Sequence, residues 1–236
     1  MALATAFPVD WFDAVSAVGE SWAYYARPEA ATHIPVFLPM LPKVSTHVTH
    51  PFNISDFKVM SFNFGYKGVG FSLKSTIAEP HYSRIGVVVA SNFHLPEFSY
   101  GVAVRIDEER FGSGAFRSAE IDLSACSFKD DFVFYGVVHN LLENDRIMLA
   151  GIALTGSGIS GALEFVMQAD RQVHAREAVR IGFSKHLDLL LGASSDPRLY
   201  GISFHFKVED IELLYSVKFH KYLQETHVLG VSYTFD

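Results

Sequence analysis

The chain ends with Thr226-His-Val-Leu-Gly-Val-Ser-Tyr-Thr-Phe-Asp236. Side chains of a β-strand alternate between its two faces. One face of this stretch would carry Leu229, Val231, Tyr233 and Phe235, and the other would carry Val228, Gly230, Ser232 and Thr234. The apolar, aromatic face continues almost to the last residue. This pattern is typical of a strand that closes a barrel and faces lipid on its outer side.

The same alternation runs through most of the chain from Lys43 onward. Ile211, Leu213, Tyr215, Val217 and Phe219 alternate with Glu212, Leu214, Ser216, Lys218 and His220. Segments of nine to eleven such residues are long enough for a tilted membrane-spanning strand. Clear candidates are Val69–Lys74, Arg84–Ser91, Tyr100–Asp107, Leu163–Asp170, Val179–Ser184 and Leu187–Ser194, and weaker ones are 43–50, 131–139 and 146–154. We predict an all-β fold: a closed antiparallel transmembrane β-barrel of about 14 strands spanning residues 43–236.

Composition favours this fold. Hydrophobic residues make up 49% of the 236, and mean hydropathy is +0.18, yet no run of about 18 apolar residues could form a membrane-spanning helix. Apolar residues interleaved with polar ones on lipid-facing strands explain both observations. The 21 Phe and 10 Tyr are also expected, because barrels place aromatic girdles at both membrane interfaces.

Charge and cysteine content exclude several classes of partner. A net charge of −7 and no basic stripe with interleaved aromatics argue against nucleic acid. Cys126 is the only cysteine, which excludes an intrachain disulfide and a site built from several cysteines. We expect Cys126 at a strand end, as an unreactive thiol.

The first forty residues differ from the rest. Apolar residues at three- and four-residue intervals predict a helix from Pro8 to Ala26, and Pro28 stops it. Pro35, Pro39 and Pro42 are spaced too closely for a central strand. Residues 1–42 are therefore predicted to be a helical plug or periplasmic cap segment. No basic region precedes the small residues at the N-terminus, so we interpret the chain as a mature or truncated form with an added Met.

Loop lengths suggest an orientation. With the chain end on the periplasmic side, the short turns at Gly65–Tyr66, around His186 and at Glu209–Asp210 lie on that side. The longer segments lie outside, as barrels prefer; they are Glu108–Gly114, Arg171–His174, Ser195–Arg198 and Tyr222–Glu225.

The polar face of the strands supplies the candidate site residues. In a membrane barrel these side chains line the lumen and pair with one another to offset their desolvation. The predicted lumen network is Arg105, Glu120, Asp122, Arg180, Asp188, His205, Lys207, Glu212, Lys218 and His220. The alternative is a soluble all-β lipid-binding protein whose apolar faces, including Phe204, Phe206, Tyr215 and Phe219, point inward.

Catalytic and metal-binding patterns are weak. His47 and His50 are not followed by further ligands at zinc-site spacing. Ser203 and Ser216 share the inward parity of the histidines, away from lipid, and the glycines between Gly151 and Gly158 lack the lysine of a phosphate-binding loop. We predict no catalytic residue, no metal and no cofactor.

The C-terminal half resembles a known family. Ala178–Phe183, Leu189–Ala193, Ser195–Phe204 and the run from Tyr215 through Leu223, Thr226 and His227 into Gly230–Phe235 are similar to the PorV/PorQ-like outer-membrane barrels. These barrels are distant relatives of the long-chain fatty-acid transporters. Tyr25–Ala30 resembles the family's N-terminal turn, but Arg27 and Glu29 depart from it.

This resemblance implies a location and partners. It implies a non-enzymatic barrel of the Gram-negative outer membrane that acts as a subunit or scaffold of an envelope complex of the type IX secretion kind, or as a channel for hydrophobic compounds. Gly230, Tyr233 and Phe235 resemble the C-terminal signal read by the barrel-insertion machinery. The implied partners are outer-membrane lipid, that machinery and a larger envelope or secretion complex.

Overall fold

The chain forms a closed antiparallel barrel of 14 strands. A computed structural model describes residue 27 and residues 30–95, 98–142, 146–156, 158–167, 172–195 and 198–235. Each strand pairs with its neighbours in sequence, and β1 pairs with β14 to close the sheet. The strands are β1 Lys43–His50, β2 Phe57–Tyr66, β3 Val69–Ala78, β4 Tyr82–His94, β5 Ser99–Phe111, β6 Gly114–Lys129, β7 Phe132–His139, β8 Ile147–Leu154, β9 Ile159–Met167, β10 Val173–Ser184, β11 Leu187–Ser195, β12 Arg198–Val208, β13 Ile211–His220 and β14 Thr226–Thr234. The predicted fold class is confirmed.

Closure of the barrel rests on the terminal strand. The β1–β14 register runs from Lys43 opposite Thr234 to His50 opposite His227. We call the end of the barrel that carries Lys43 and Thr234 the proximal end, and the opposite end the distal end. A closed sheet leaves no unpaired strand edge toward lipid, which is why barrels can cross a bilayer.

The distribution of side chains is inverted relative to a soluble protein. Buried residues are polar as often as apolar, and they include Arg105, Asp122, Glu164 and Lys218. Phe204, Phe206, Tyr215 and Phe219 are between 37% and 47% exposed on the outside. The alternative of a soluble protein with these apolar faces inward is therefore wrong, because an outer surface of this kind requires lipid around it.

Aromatic side chains ring both ends of the outer surface. Those near the proximal end are Tyr66, Phe93, Phe183, Phe206 and Tyr233, and those near the distal end are Phe165, Tyr200 and Phe219. Two such girdles bound the apolar band of a transmembrane barrel. No helix among the described residues is long and apolar enough to cross a membrane.

Two predicted loops are wrong. The turn expected at Gly65–Tyr66 is formed by Lys67 and Gly68, with φ angles of 49° and 73°. A two-residue hairpin turn of the favoured twist needs positive φ at both positions. The predicted loop Glu108–Gly114 is mostly strand, because β5 and β6 stay paired until Phe111 meets Gly114.

Connections are short at both ends of the barrel. They have two to four residues at the proximal end and two to seven at the distal end. The expected contrast between short and long connections is therefore only partial. Cys126 is also not at a strand end: it is buried inside β6, facing the lumen.

Residues 30–38, which precede β1, lie inside the barrel. Helix α1, Ala30–His33, and a 3₁₀ helix, Pro35–Phe37, are buried and contact β3 to β6. The wall is recessed where they touch it: a Cβ at Gly70 would clash with Leu38, and one at Gly101 would clash with the backbone of Val36. The predicted helix at Pro8–Ala26 lies outside the described residues.

Hydrogen bonds tie this segment to the wall. The backbone N–H of Val36 donates to Ser124 Oγ at 2.9 Å, and Asn92 Nδ2 donates to the Val36 carbonyl at 3.1 Å. These bonds satisfy backbone groups that strand pairing does not reach. Residues 30–38 therefore fill the side of the lumen next to β3–β6.

Candidate functional site: the polar lumen

Charged side chains of β10 to β13 meet at the proximal end. Glu212 accepts a hydrogen bond from Arg27 Nη2 at 2.5 Å, and its Oε1 lies 2.8 Å from His205 Nδ1. Asp188 Oδ2 accepts from Lys207 Nζ at 2.7 Å and also from Arg180. We call these six residues the proximal cluster. Their positions follow from strand parity, since Asp188 is opposite His205 and Lys207 is opposite Glu212 in the register.

A second group of charges lies on β4 to β7, on the wall that holds the N-terminal segment. Arg105 lies 3.4 Å from Asp122 and 3.6 Å from Glu120, and its Nη2 donates to the Thr32 carbonyl at 2.8 Å. His139 Nδ1 lies 3.1 Å from Asp122 Oδ2. These buried charges are matched by opposite charges, as burial in a low-dielectric interior requires.

Lys218 and His220 lie apart from both groups. They face the lumen from the distal half of β13, and Lys218 is 1% exposed. The ring of His220 packs edge-on against Phe52 at 4.9 Å, and its Nε2 lies 3.1 Å from Thr226 Oγ1. Phe52 belongs to a short 3₁₀ helix, Pro51–Asn53, that turns inward at the distal end. The ten predicted network residues thus face the lumen in three separate places.

Sequence reasoning missed several members of this lining. Arg27 precedes the barrel, and no strand pattern could have related it to Glu212, 185 residues away. Arg84, which donates to Asp107 at 2.7 Å, and fully buried Glu164, which accepts from Tyr135 at 2.7 Å, have the inward parity of their strands. The alternation of inward and outward positions along their strands could have identified these two residues from the sequence.

A cavity remains in the lumen. It has a volume of about 500 Å³ and opens at the proximal end. Its lining includes the proximal cluster, Lys43 at the start of β1 and Asp130 in the β6–β7 turn. Phe128, Val133 and Leu190 also line it, so its wall is partly charged and partly apolar.

The C-terminal motif divides between the two faces of β14. Tyr233 and Phe235 are exposed on the outside and contact each other edge to face, with ring centroids 4.8 Å apart. Gly230 faces the lumen opposite His47, and a Cβ built on it would overlap the His47 ring. The lack of a side chain at Gly230 therefore leaves space for the buried imidazole of His47.

The serines and histidines considered for chemistry are engaged in packing. Ser216 Oγ donates to Ser203 Oγ at 2.8 Å, and both residues are fully buried. His47 is buried, with its Nδ1 3.4 Å from Ser61 Oγ. Among the residues described, no three His, Cys, Asp or Glu side chains come together as a metal site.

Comparison with known proteins gives a likeness of fold. No protein-family model matches the sequence, and no curated protein matches it. The outer membrane protein Omp33 of Acinetobacter baumannii superposes with a TM-score of 0.59 and 7% identity, over 83% of this chain and 98% of that chain. The chain has the fold of an outer-membrane β-barrel.

Two porins superpose more loosely. The KdgM porin matches with a TM-score of 0.47 and 11% identity, over 82% of this chain and 99% of that one. A triple mutant of the Rhodopseudomonas blastica porin matches with a TM-score of 0.47 and 10% identity, over 83% and 99%. The likeness to Omp33 agrees with the outer-membrane location predicted from the sequence.

Proposed function

We propose that this barrel lies in the outer membrane of a Gram-negative bacterium and acts as a narrow, non-enzymatic channel for small water-soluble solutes. The observation that carries the proposal is the cavity with charged lining residues that remains at the proximal end of the lumen. An aqueous path through a barrel needs polar walls and space that side chains do not fill. Both conditions are met at the proximal end.

The character of the wall decides the type of solute. The resemblance to fatty-acid transporter relatives implies a channel for hydrophobic compounds. Phe128, Val133 and Leu190 do line the cavity, but most of its lining residues are charged or polar, among them Arg180 and Asp188. An apolar solute would have to displace water from these groups without replacing their hydrogen bonds, which costs free energy. Water-soluble cargo fits this wall better.

A role as a subunit of an envelope complex is the second candidate. The observation that favours it is the shortness of the connections, with at most seven residues between consecutive strands. Connections of this size provide little material for an external ligand-binding site. Membership of the PorV/PorQ-like class, proposed from the C-terminal sequence, would also fit this role. Isolation of the barrel from native membranes as a stable larger assembly would support the second candidate.

Liposome swelling tests the channel directly. The purified protein is reconstituted into liposomes that are then diluted into isotonic solutions of neutral sugars of increasing size. We expect swelling with the smallest sugars and progressively less with larger ones, because the N-terminal segment narrows the lumen. Swelling no faster than in protein-free liposomes would overturn the proposal.

A further inference from the structure

On the β10–β12 wall of the cavity, two cations are more exposed than the carboxylate that they share. In the pairs around Asp188, the side chains of Arg180 and Lys207 are 47% and 34% exposed, whereas the Asp188 side chain is 10% exposed. The carboxylate therefore lies behind the two cations and holds them toward the cavity. A solute that enters meets a guanidinium and an ammonium group first.

Charge neutralisation on this wall is incomplete. Asp188 Oδ2 accepts from both Lys207 and Arg180, so one negative charge is shared by two positive ones. Glu212, by contrast, is balanced by Arg27 at 2.5 Å.

One further acidic residue of the lining would repel a bound anion. Asp130, on the exposed β6–β7 turn, also lines the cavity. It lies at the same proximal end, between β6 and β7, and has no hydrogen bond to Arg180 or Lys207 among the described contacts. Among the described lining residues, Arg27, Lys43, Arg180 and Lys207 stand beside Asp130, Asp188 and Glu212. On the β10–β12 wall, two cations, Arg180 and Lys207, share one carboxylate, Asp188.

We propose that this cavity is a binding subsite for small anions that carry carboxylate or phosphate oxygens, with Arg180 and Lys207 as their principal contacts. The planar guanidinium can donate two parallel hydrogen bonds to such an oxygen pair, and the ammonium group adds a point charge. Thr155 and Ser160, also in the lining, are polar neighbours for a bound anion. The inference deepens the proposed channel function, since it names the solute class that the channel would favour.

Calorimetric titration of the detergent-solubilised full chain tests binding independently of conduction. The probes are citrate and inorganic phosphate, with glycerol as a neutral control. We expect measurable binding of at least one anion and none of glycerol. Citrate without phosphate would identify a carboxylate site, and the reverse result would identify a phosphate site. Binding of neither anion would overturn the inference.

Substitutions with opposite expected signs exclude a merely structural effect. In Arg180→Gln, only Lys207 and Asp188 remain charged, and their charges cancel. We therefore expect about tenfold weaker anion binding. Arg180→Lys should recover part of it. Asp130→Asn, on an exposed turn, should strengthen binding. Arg110→Gln removes one positive charge outside the lumen and should change nothing. Weaker binding in Asp130→Asn, or unchanged binding in Arg180→Gln, would contradict the assignment.

Ion selectivity separates this inference from the channel itself. With a potassium chloride gradient across a planar bilayer, the reversal potential should indicate preference for chloride, and Arg180→Gln should move it toward potassium. A conducting barrel that prefers potassium would leave the channel in place and overturn the anion subsite. Anion binding by a barrel that does not conduct would support the anion subsite and overturn the channel.

Discussion

Arg105 connects the barrel wall to the N-terminal segment by donating from Nη2 to the carbonyl of Thr32 at 2.8 Å. The same guanidinium faces Asp122 and Glu120 on the next strand. A single side chain thus contacts two acidic groups and anchors residues 30–38, which narrow the lumen. The width of the path through the barrel therefore depends on a charged contact within its wall.

Removal of this side chain should destabilise the barrel strongly. In Arg105→Gln, the buried Asp122 and Glu120 lose their guanidinium, and breaking a buried pair in this way costs about 3–5 kcal/mol. Equilibrium unfolding in urea from lipid vesicles measures the free energy of unfolding. The matched control is Arg110→Gln, because Arg110 pairs with Glu108 at the surface and is 67% exposed. That change should cost less than about 1 kcal/mol, and equal losses in the two variants would show that Arg105 has no such role.

A charge on the outer face of the barrel should impair its insertion. Val104 lies near the middle of β5 and is 45% exposed on the apolar surface. Val104→Arg should reduce the free energy of folding into bilayers by about 2–4 kcal/mol, the cost of a lipid-facing arginine near the midplane.

Position along the strand provides the control for this experiment. Phe116 is 68% exposed on the part of β6 that extends beyond its pairing with β7. Phe116→Arg should therefore cost less than about 1 kcal/mol. Folding yield in vesicles, followed by the shift in gel mobility on heating, compares the two. Similar yields would mean that Val104 does not face lipid.

The close approach of Gly230 to His47 predicts a size limit at this position. In Gly230→Ala the new methyl group displaces the buried His47 ring, at a cost of about 1–3 kcal/mol for overpacking. In a His47→Ala background the same change should cost much less, because the two residues share one space. Additive costs would show that Gly230 is required for another reason.

Tyr233 and Phe235 should matter for assembly more than for stability. Both are exposed on the outside of the terminal strand. If the insertion machinery reads them, Tyr233→Ala and Phe235→Ala should slow assembly in cells while spontaneous folding into vesicles changes little. Tyr215→Ala, another exposed aromatic on the neighbouring strand, is the control. A loss that is equal in cells and in vesicles would place the effect in the fold instead.

Strand alternation made much of this structure predictable. Because the side-chain period of a strand is two, local sequence was sufficient to put Asp188, His205 and Glu212 on one face and Phe204 and Phe206 on the other. The amount of exposed apolar surface then requires that the polar face point inward.

Contacts that depend on the path of the chain were not predictable. Arg27 reaches Glu212 only because the segment before β1 enters the lumen. The polar run Glu108-Glu109-Arg110 resembled a loop, yet β5 and β6 remain paired there and extend into the surroundings beyond the apolar band. Outside that band, both faces of a strand meet water. Polar residues on both faces therefore do not show whether the backbone is paired.

Single-channel conductance in planar bilayers tests the account most directly, with the full chain compared to a chain that begins at residue 39. Heat-dependent gel mobility would first establish that both are folded. We predict small, discrete conductance steps for the full chain and distinctly larger steps for the shortened one, because residues 30–38 fill one side of the lumen. Equal conductance, or no conductance from either folded barrel, would contradict the account.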